Sequence, residues 1–287
     1  MDAPISLSGA YDLHVHASPS IMRRKLTSFE VLKLADCEGM AGVLLLDHTY
    51  NTTPVAEVLN EMGYGTRMFG AILLNESVGG LNPSVVEVAI QLGTKQIQMP
   101  TYSSRSHEEK YGDDQKSFPY QQKSKGISIL DDNGKLLTEV EEILEVMKNS
   151  NSFLGTGHLS VEEIVALVRR AKELHIRVMV NSVSADIIDM PVETQKQLAC
   201  ENVFMEHDYA VLTAIVHRTT PIESIVRQIR SLGPERCVLS SDAGQVMIPD
   251  LVTGLKDFIR RLTAQGITEN ELDIMLKKNP QIVLGLF

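Results

Sequence analysis

Short runs of β-branched and aliphatic residues alternate with helically spaced apolar positions along the whole chain. Tyr11–Val15, Gly42–Leu46, Met68–Leu74 and Gln96–Met99 read as four strands, and Ser152–Thr156, Ile176–Val180, Asn202–Met205 and Arg236–Leu239 as four more. Between them, helical spacing and end signals predict helices over Ser28–Glu38, Pro54–Met62, Pro83–Leu92, Thr138–Met147, Ser160–Leu174, Val192–Ala199 and Pro221–Leu232. Leu251–Ala264 and Glu269–Lys277 follow the last strand. Thr138 with Glu141, and Ser160 with Glu163, have the spacing of capping boxes. Eight strands separated by helices predict a (β/α)8 TIM-barrel-like α/β fold. A doubly wound open sheet also alternates, but its Gly-x-Gly-x-x-Gly turn is missing after the first strand.

One stretch breaks the rhythm. Tyr102 to Lys125 is polar and poor in aliphatics, and Ile127–Leu137 then reads as a small hairpin about Asn133-Gly134. The expectation is a single domain over residues 1–287 with a polar insertion, at about 102–137, after the fourth strand.

Composition narrows the function classes. With 27 Lys and Arg against 37 Asp and Glu, the formal net charge is −10, which disfavours a phosphate backbone as partner and predicts no nucleic-acid binding. No apolar run has the length of a membrane span, and the start of the chain lacks a secretory pattern. Cys37, Cys200 and Cys237 are isolated from one another and read as reduced thiols. A cytoplasmic protein with a small-molecule substrate, assembled as a homo-oligomer, is expected.

In a barrel the residues just past the strand C-termini face the active site. The first strand ends in Asp12-Leu13-His14-Val15-His16. Two-residue spacing puts His14 and His16 on one side, where both imidazoles can reach one metal ion. The other ends carry Asp47-His48, Gly157-His158, Asn181-Ser182, Glu206-His207-Asp208 and Ser240-Ser241-Asp242-Ala243-Gly244. A lone histidine at a strand end is ordinarily structural, but His14, His16, His158 and Asp242 together form a ligand set. His48 is a substrate contact or a neighbour that orients a ligand, and Asp12 could orient one too. Of Glu206 and His207 only one can face inward, and His207 is preferred. Asn181 is placed by strand geometry alone. His107 and Arg105, in the insertion, could contact substrate, Arg105 by pairing with a carboxylate. His175 falls at the opposite end of the barrel, and His217 has no firm placement.

Asp-Leu-His-Val-His, Gly-His and Ser-Asp-Ala-Gly, with the ending Lys278-Asn279-Pro280-Gln281-Ile282-Val283-Leu284-Gly285, resemble the amidohydrolase superfamily of metal-dependent hydrolases. The segments YDLHVHASPS, TGHLS, FMEH and SLGPERCVLSSDAGQ are similar to an uncharacterised amidohydrolase-like group of about this length. The resemblance implies His14, His16 and His158 as metal ligands. It implies Asp242 as a ligand that also takes a proton from the attacking water. The bond cleaved would be an amide, ester, lactone or related bond. Two departures matter. Asn181 stands where the sixth strand ordinarily brings a histidine. The fourth strand has Lys95 at its start and Gln98 and Met99 near its end, which does not support a carboxylated-lysine binuclear centre. One divalent ion is therefore expected, zinc first, with Mn, Fe or Ni as alternatives. Two rival readings remain. One is a PHP-type phosphoesterase, disfavoured because no histidine follows Asp242 by two residues. The other is a catalytically reduced binding protein.

Overall fold

The computed structural model describes residues 5–112, 126–213 and 218–286. His217 and the insertion's 113–125 lie outside the described residues. The strands are β1 (Tyr11–His16), β2 (Gly42–Leu46), β3 (Arg67–Leu73), β4 (Gln96–Gln98), β5 (Phe153–Gly155), β6 (Val178–Val180), β7 (Val203–Asp208) and β8 (Cys237–Ser240). The helices are α1 (Ser28–Cys37), α2 (Thr53–Asn60), α3 (Pro83–Gln91), α4 (Arg105–Tyr111), α5 (Thr138–Met147), α6 (Val161–Glu173), α7 (Val192–Leu198), α8 (Ile222–Leu232), α9 (Leu251–Ala264), α10 (Glu269–Asp273) and α11 (Asn279–Leu284).

Each strand pairs in parallel with the next, in the order β1 to β8. A parallel bridge from Val15 to Ala243, with His16 N donating to Ala243 O at 2.7 Å, brings the first strand beside the last. The chain is thus a nearly closed (β/α)8 TIM barrel. Most of its strand residues are apolar because both faces are covered, β4 with Gln96 and Gln98 being an exception. Val43, Leu45 and Leu239 pack outward among α1, α8 and α9. Ile97, Leu154, Val178 and Val180 do so among α3, α5 and α6. Leu13, Leu44, Leu46, Phe69, Phe153, Met179, Phe204 and Val238 fill the interior, and Val283 and Leu284 of α11 pack with them. Each such side chain, fully buried, contributes roughly 1.5–3 kcal/mol of transfer free energy.

Most predicted elements are found within two residues of their ends, and the differences have local causes. The chain predicted as helix over Glu269–Lys277 is α10 followed by a π-helical turn, Ile274–Lys278, from which α11 continues. The Ser160–Glu163 capping box of α6 is present, with Ser160 N donating to Glu163 Oε2 at 2.9 Å. The box predicted at Thr138 is absent. Helix α5 is capped by Leu137 without a side-chain bond, so Thr138 lies inside the first turn, and Glu141 is taken by Arg170 Nε at 2.8 Å. The predicted hairpin is a single antiparallel bridge, Leu130 to Leu136, whose turn is held by Asp131 Oδ1 accepting from the backbone of Asn133 and Lys135.

Within the insertion the chain forms α4, which the apolar pattern does not announce. Its start is chemical: Ser104 Oγ accepts from His107 N at 3.1 Å and donates to His158 O at 2.7 Å. The same hydroxyl therefore caps the helix and ties it to the end of β5.

Candidate metal centre

The interior changes character at the C-terminal end of the strands. Between Asp12 and Val15 the first strand advances three residues while its partner advances two, from Val43 to Leu45. This extra residue reverses the alternation. Leu13 can fill the apolar interior while His14 and His16 both project above it, and Val15 packs outward.

His14, His16 and Asp242 converge. Asp242 Oδ1 stands 3.4 Å from His14 Nε2 and 3.5 Å from His16 Nε2. Asp242 reaches this position with φ 48°, a left-handed conformation that aspartate tolerates better than most residues. Two residues on, Gly244 has φ 143°, and a Cβ there would collide with the His16 carbonyl. Glycine is what lets the β8 loop lie against β1.

Both imidazoles are held by Nδ1 with Nε2 directed to the carboxylate. His16 Nδ1 lies 3.0 Å from Leu46 O. A carbonyl only accepts, so Nδ1 carries the proton and Nε2 keeps a free lone pair. Burial holds the His16 imidazole well below its usual pKa, with Arg24 and His48 adding to the effect. His14 Nδ1 lies 3.1 Å from Glu206 Oε1. Burial opposes charge on His14, but Asp242 and Glu206 outweigh it and raise the imidazole to about 10.

Glu206 is the inward residue of β7, which corrects the preference for His207. Phe204 faces the interior, and two-residue alternation then carries Glu206 and Asp208 inward as well. His207 points away and hydrogen-bonds Ser184 Oγ at 3.1 Å. Glu206 Oε2 accepts from Asn181 Nδ2 at 2.9 Å and from Ser182 N at 3.2 Å. Asn181 therefore holds the carboxylate that holds His14. Burial would raise the Glu206 carboxyl, but His14 beside it and its hydrogen bonds keep it below the usual range.

Asp12 and Asp208, both buried, and the half-buried Asp242 surround the same histidines. Burial pushes Asp12 up to about 7. Burial, then the charges of Asp242 and Glu206, push Asp208 up to about 8. Burial also raises Asp242, against the pull of His14. Four carboxylates, Asp12, Glu206, Asp208 and Asp242, outnumber the cationic groups His14 and Arg24 here, and Asp12 Oδ2 and Asp208 Oδ2 are buried with no hydrogen-bond partner among the described residues. A divalent cation would satisfy this charge. The separations agree. Donors each about 2.1 Å from a tetrahedral ion stand about 3.4 Å apart, against the observed 3.4 and 3.5 Å. The donors His14, His16 and Asp242 thus fit a divalent metal.

The remaining expected residues fall at different distances from this group. His158 stands outside the three-residue group. Its ring stacks on His107 with centroids 5.0 Å apart, and the two Nδ1 atoms are 3.0 Å apart. Burial keeps His158 well below its usual pKa, with His107 and His14 contributing. His48 stacks on His16 at 4.7 Å and meets Thr101 Oγ1 through Nδ1 at 3.0 Å. Tyr102 touches the rings of His48, His107 and His158, with centroids 4.6, 4.8 and 5.9 Å away. Arg105 is exposed on the first turn of α4 beside Glu109, Asp131 and Glu162, away from the histidines. Pattern reasoning misses Tyr102 and Arg24; it names Glu206 and Asp208 at the end of the seventh strand but prefers His207. Glu206 and Asp208 were accessible by counting in steps of two from Phe204, once that residue's inward face was known.

The geometry yields a direct expectation. Glu206→Gln leaves one side-chain oxygen for three donors and turns an amide N–H toward them. Metal affinity, measured by competition with a chelating indicator, should fall about 10–100-fold. An unchanged affinity would remove Glu206 from the support of the centre.

A family model described as a family of unknown function (DUF6282) matches residues 9–206. The chain belongs to this family. The match runs from β1 to Glu206 and so includes His14, His16 and His158, whereas Asp242 lies beyond it. No curated protein matches the chain. Among solved structures, an amidohydrolase from Pseudomonas aeruginosa is similar over 96% of this chain and 95% of that one, at 13% identity and TM-score 0.68. A resiniferatoxin-binding protein from Rhodobacter sphaeroides is similar over 97% and 91%, at 12% identity and TM-score 0.61. A mutant organophosphorus hydrolase from Deinococcus radiodurans is similar over 99% and 98%, at 13% identity and TM-score 0.59. At these identities the likeness is one of fold. Among the described residues no helix is long and apolar enough to cross a membrane.

Proposed function

We propose that the protein is a metal-dependent hydrolase of the amidohydrolase type, acting on an amide, ester, lactone or related bond of a small molecule. The observation that carries this reading is the convergence of two Nε2 atoms and one carboxylate oxygen at the C-terminal mouth of the barrel, 3.4 and 3.5 Å apart. Both rings are fixed from behind, by Leu46 O and by Glu206. The fold neighbours named as an amidohydrolase and an organophosphorus hydrolase support the same reading.

His14, His16 and Asp242 would hold one divalent ion, zinc first among Zn, Mn, Fe and Ni. When bound, such an ion makes water acidic enough to supply hydroxide near neutral pH and polarises a substrate oxygen. The chain does the rest. Asp242, beside both Nε2 atoms, receives the proton of the attacking water. Glu206 and Leu46 O keep the two imidazoles in register. His48, Tyr102, His107 and His158 form the aromatic wall on which a substrate would rest.

Purified protein should carry about one divalent ion per chain by elemental analysis. In a panel of aryl esters, lactones, anilides and aryl phosphates, turnover should fall among the carboxylic derivatives. Turnover confined to the aryl phosphates would favour a phosphoesterase instead. Protein that neither retains nor takes up metal would end the hydrolase reading.

A further inference from the structure

The strongest charge that this chemistry leaves unused is Arg24, in the loop between β1 and α1. It is only 8% exposed. Its backbone forms an antiparallel bridge with Gln245, and Lys25 N donates to Gly244 O at 2.8 Å. The loop that carries Arg24 is therefore joined to the loop that carries Asp242, and the guanidinium is fixed beside the metal ligands.

Its hydrogen-bonding capacity is not spent there. Nη2 lies 3.4 Å from His16 Nδ1. That nitrogen already carries the proton given to Leu46 O, so two donors face each other and no bond results. The other neighbour of Nη2 is Met22 Sδ at 3.5 Å, a weak acceptor. Nε is buried without a partner. Among the described residues, no ion pair joins the guanidinium to a carboxylate; those at this site are all made by histidines. A buried guanidinium with open donors is costly unless something fills them.

We infer that Arg24 receives a carboxylate of the substrate, placed next to the bond that reacts at His14, His16 and Asp242. A carboxylate matches the planar fork and accepts two parallel bonds from it. A phosphate dianion fits less well. Asp47 and Asp242 lie close enough to act on the guanidinium electrostatically, so one positive charge is offered to the ligand in an acidic setting. The substrate is thus an acid that also carries an ester, amide or lactone bond. This rests on the hydrolase reading for the position of the reacting bond, while the anion subsite is tested by binding alone.

The test titrates the metal-loaded protein, by calorimetry, with acetate, benzoate and phthalate. Acetamide, benzamide and phthalamide serve as neutral counterparts, and inorganic phosphate as the competing anion. At least one carboxylate should bind about tenfold or more tightly than its amide, the discrimination of one charge-assisted pair. Arg24→Met should bring that ratio to about one, and Arg24→Lys should keep part of it, since charge remains and the fork is lost. Metal content and melting temperature of both variants are measured alongside and should match the wild type. The inference is overturned if no carboxylate is preferred, if the preference survives in Arg24→Met, if phosphate binds more tightly than every carboxylate, or if the variants lose their metal. Carboxylate-selective binding without turnover would retain Arg24 as the anion site and count against the hydrolase reading instead.

Discussion

Replacing His14 and His16 together by alanine is expected to take the metal content from about one ion per chain to essentially none. The two Nε2 atoms are two of the three donors that the fold brings together, and Asp242 alone is an ordinary carboxylate of low affinity. Loss of the ion also has a signature independent of turnover. A ligand at a hundredfold excess over its Kd stabilises the folded state by about 2.7 kcal/mol. A chelator should therefore lower the melting temperature of the wild type by several degrees and leave the double variant unmoved. Circular dichroism of the variant checks that the barrel is intact, since Glu206 loses its partner on His14. A double variant with the metal content of the wild type would place the ion elsewhere.

Asp242→Asn separates holding the ion from moving the proton. The amide keeps one oxygen toward the Nε2 atoms but cannot accept a proton as a carboxylate does. On the ester, lactone or anilide that the wild type turns over best, kcat should fall about 10²–10⁴-fold, the usual contribution of a general base. The variant should retain more metal than the double histidine variant. A kcat within about threefold of the wild type would assign the base to another group. Asp208 is then the nearest alternative, buried on the same wall and pushed up to about 8.

Asn181 changes meaning between sequence and structure. By position it marks the loss of a histidine ligand and suggests a weakened centre. In the barrel its amide donates to Glu206, and Glu206 fixes the ring of His14. The position supports the ring of His14 through Glu206, so Asn181 is not by itself a sign of a catalytically reduced barrel.

The sequence by itself determined the alternation of strands and helices, hence the barrel, because strands covered on both faces must be apolar throughout and helices must show a stripe. It also singled out His14, His16 and Asp242, which the fold brings together, because their types and their places at strand ends carry the signal. Three matters were decided only by the tertiary structure. Which of Glu206 and His207 faces inward depends on the parity of β7, and apolar residues on both of its faces hide that parity. Whether His158 joins His14 depends on its contact with His107, which follows from the Ser104 cap that turns polar chain into α4. The exposure of Arg105 and the burial of Arg24 depend on loops whose composition is equally polar, and the pairing of Arg24 with Gln245 and of Lys25 with Gly244 sets one of them beside His16. Local pattern specifies elements, while the partners of a buried polar group are fixed by which loops meet when the ring closes.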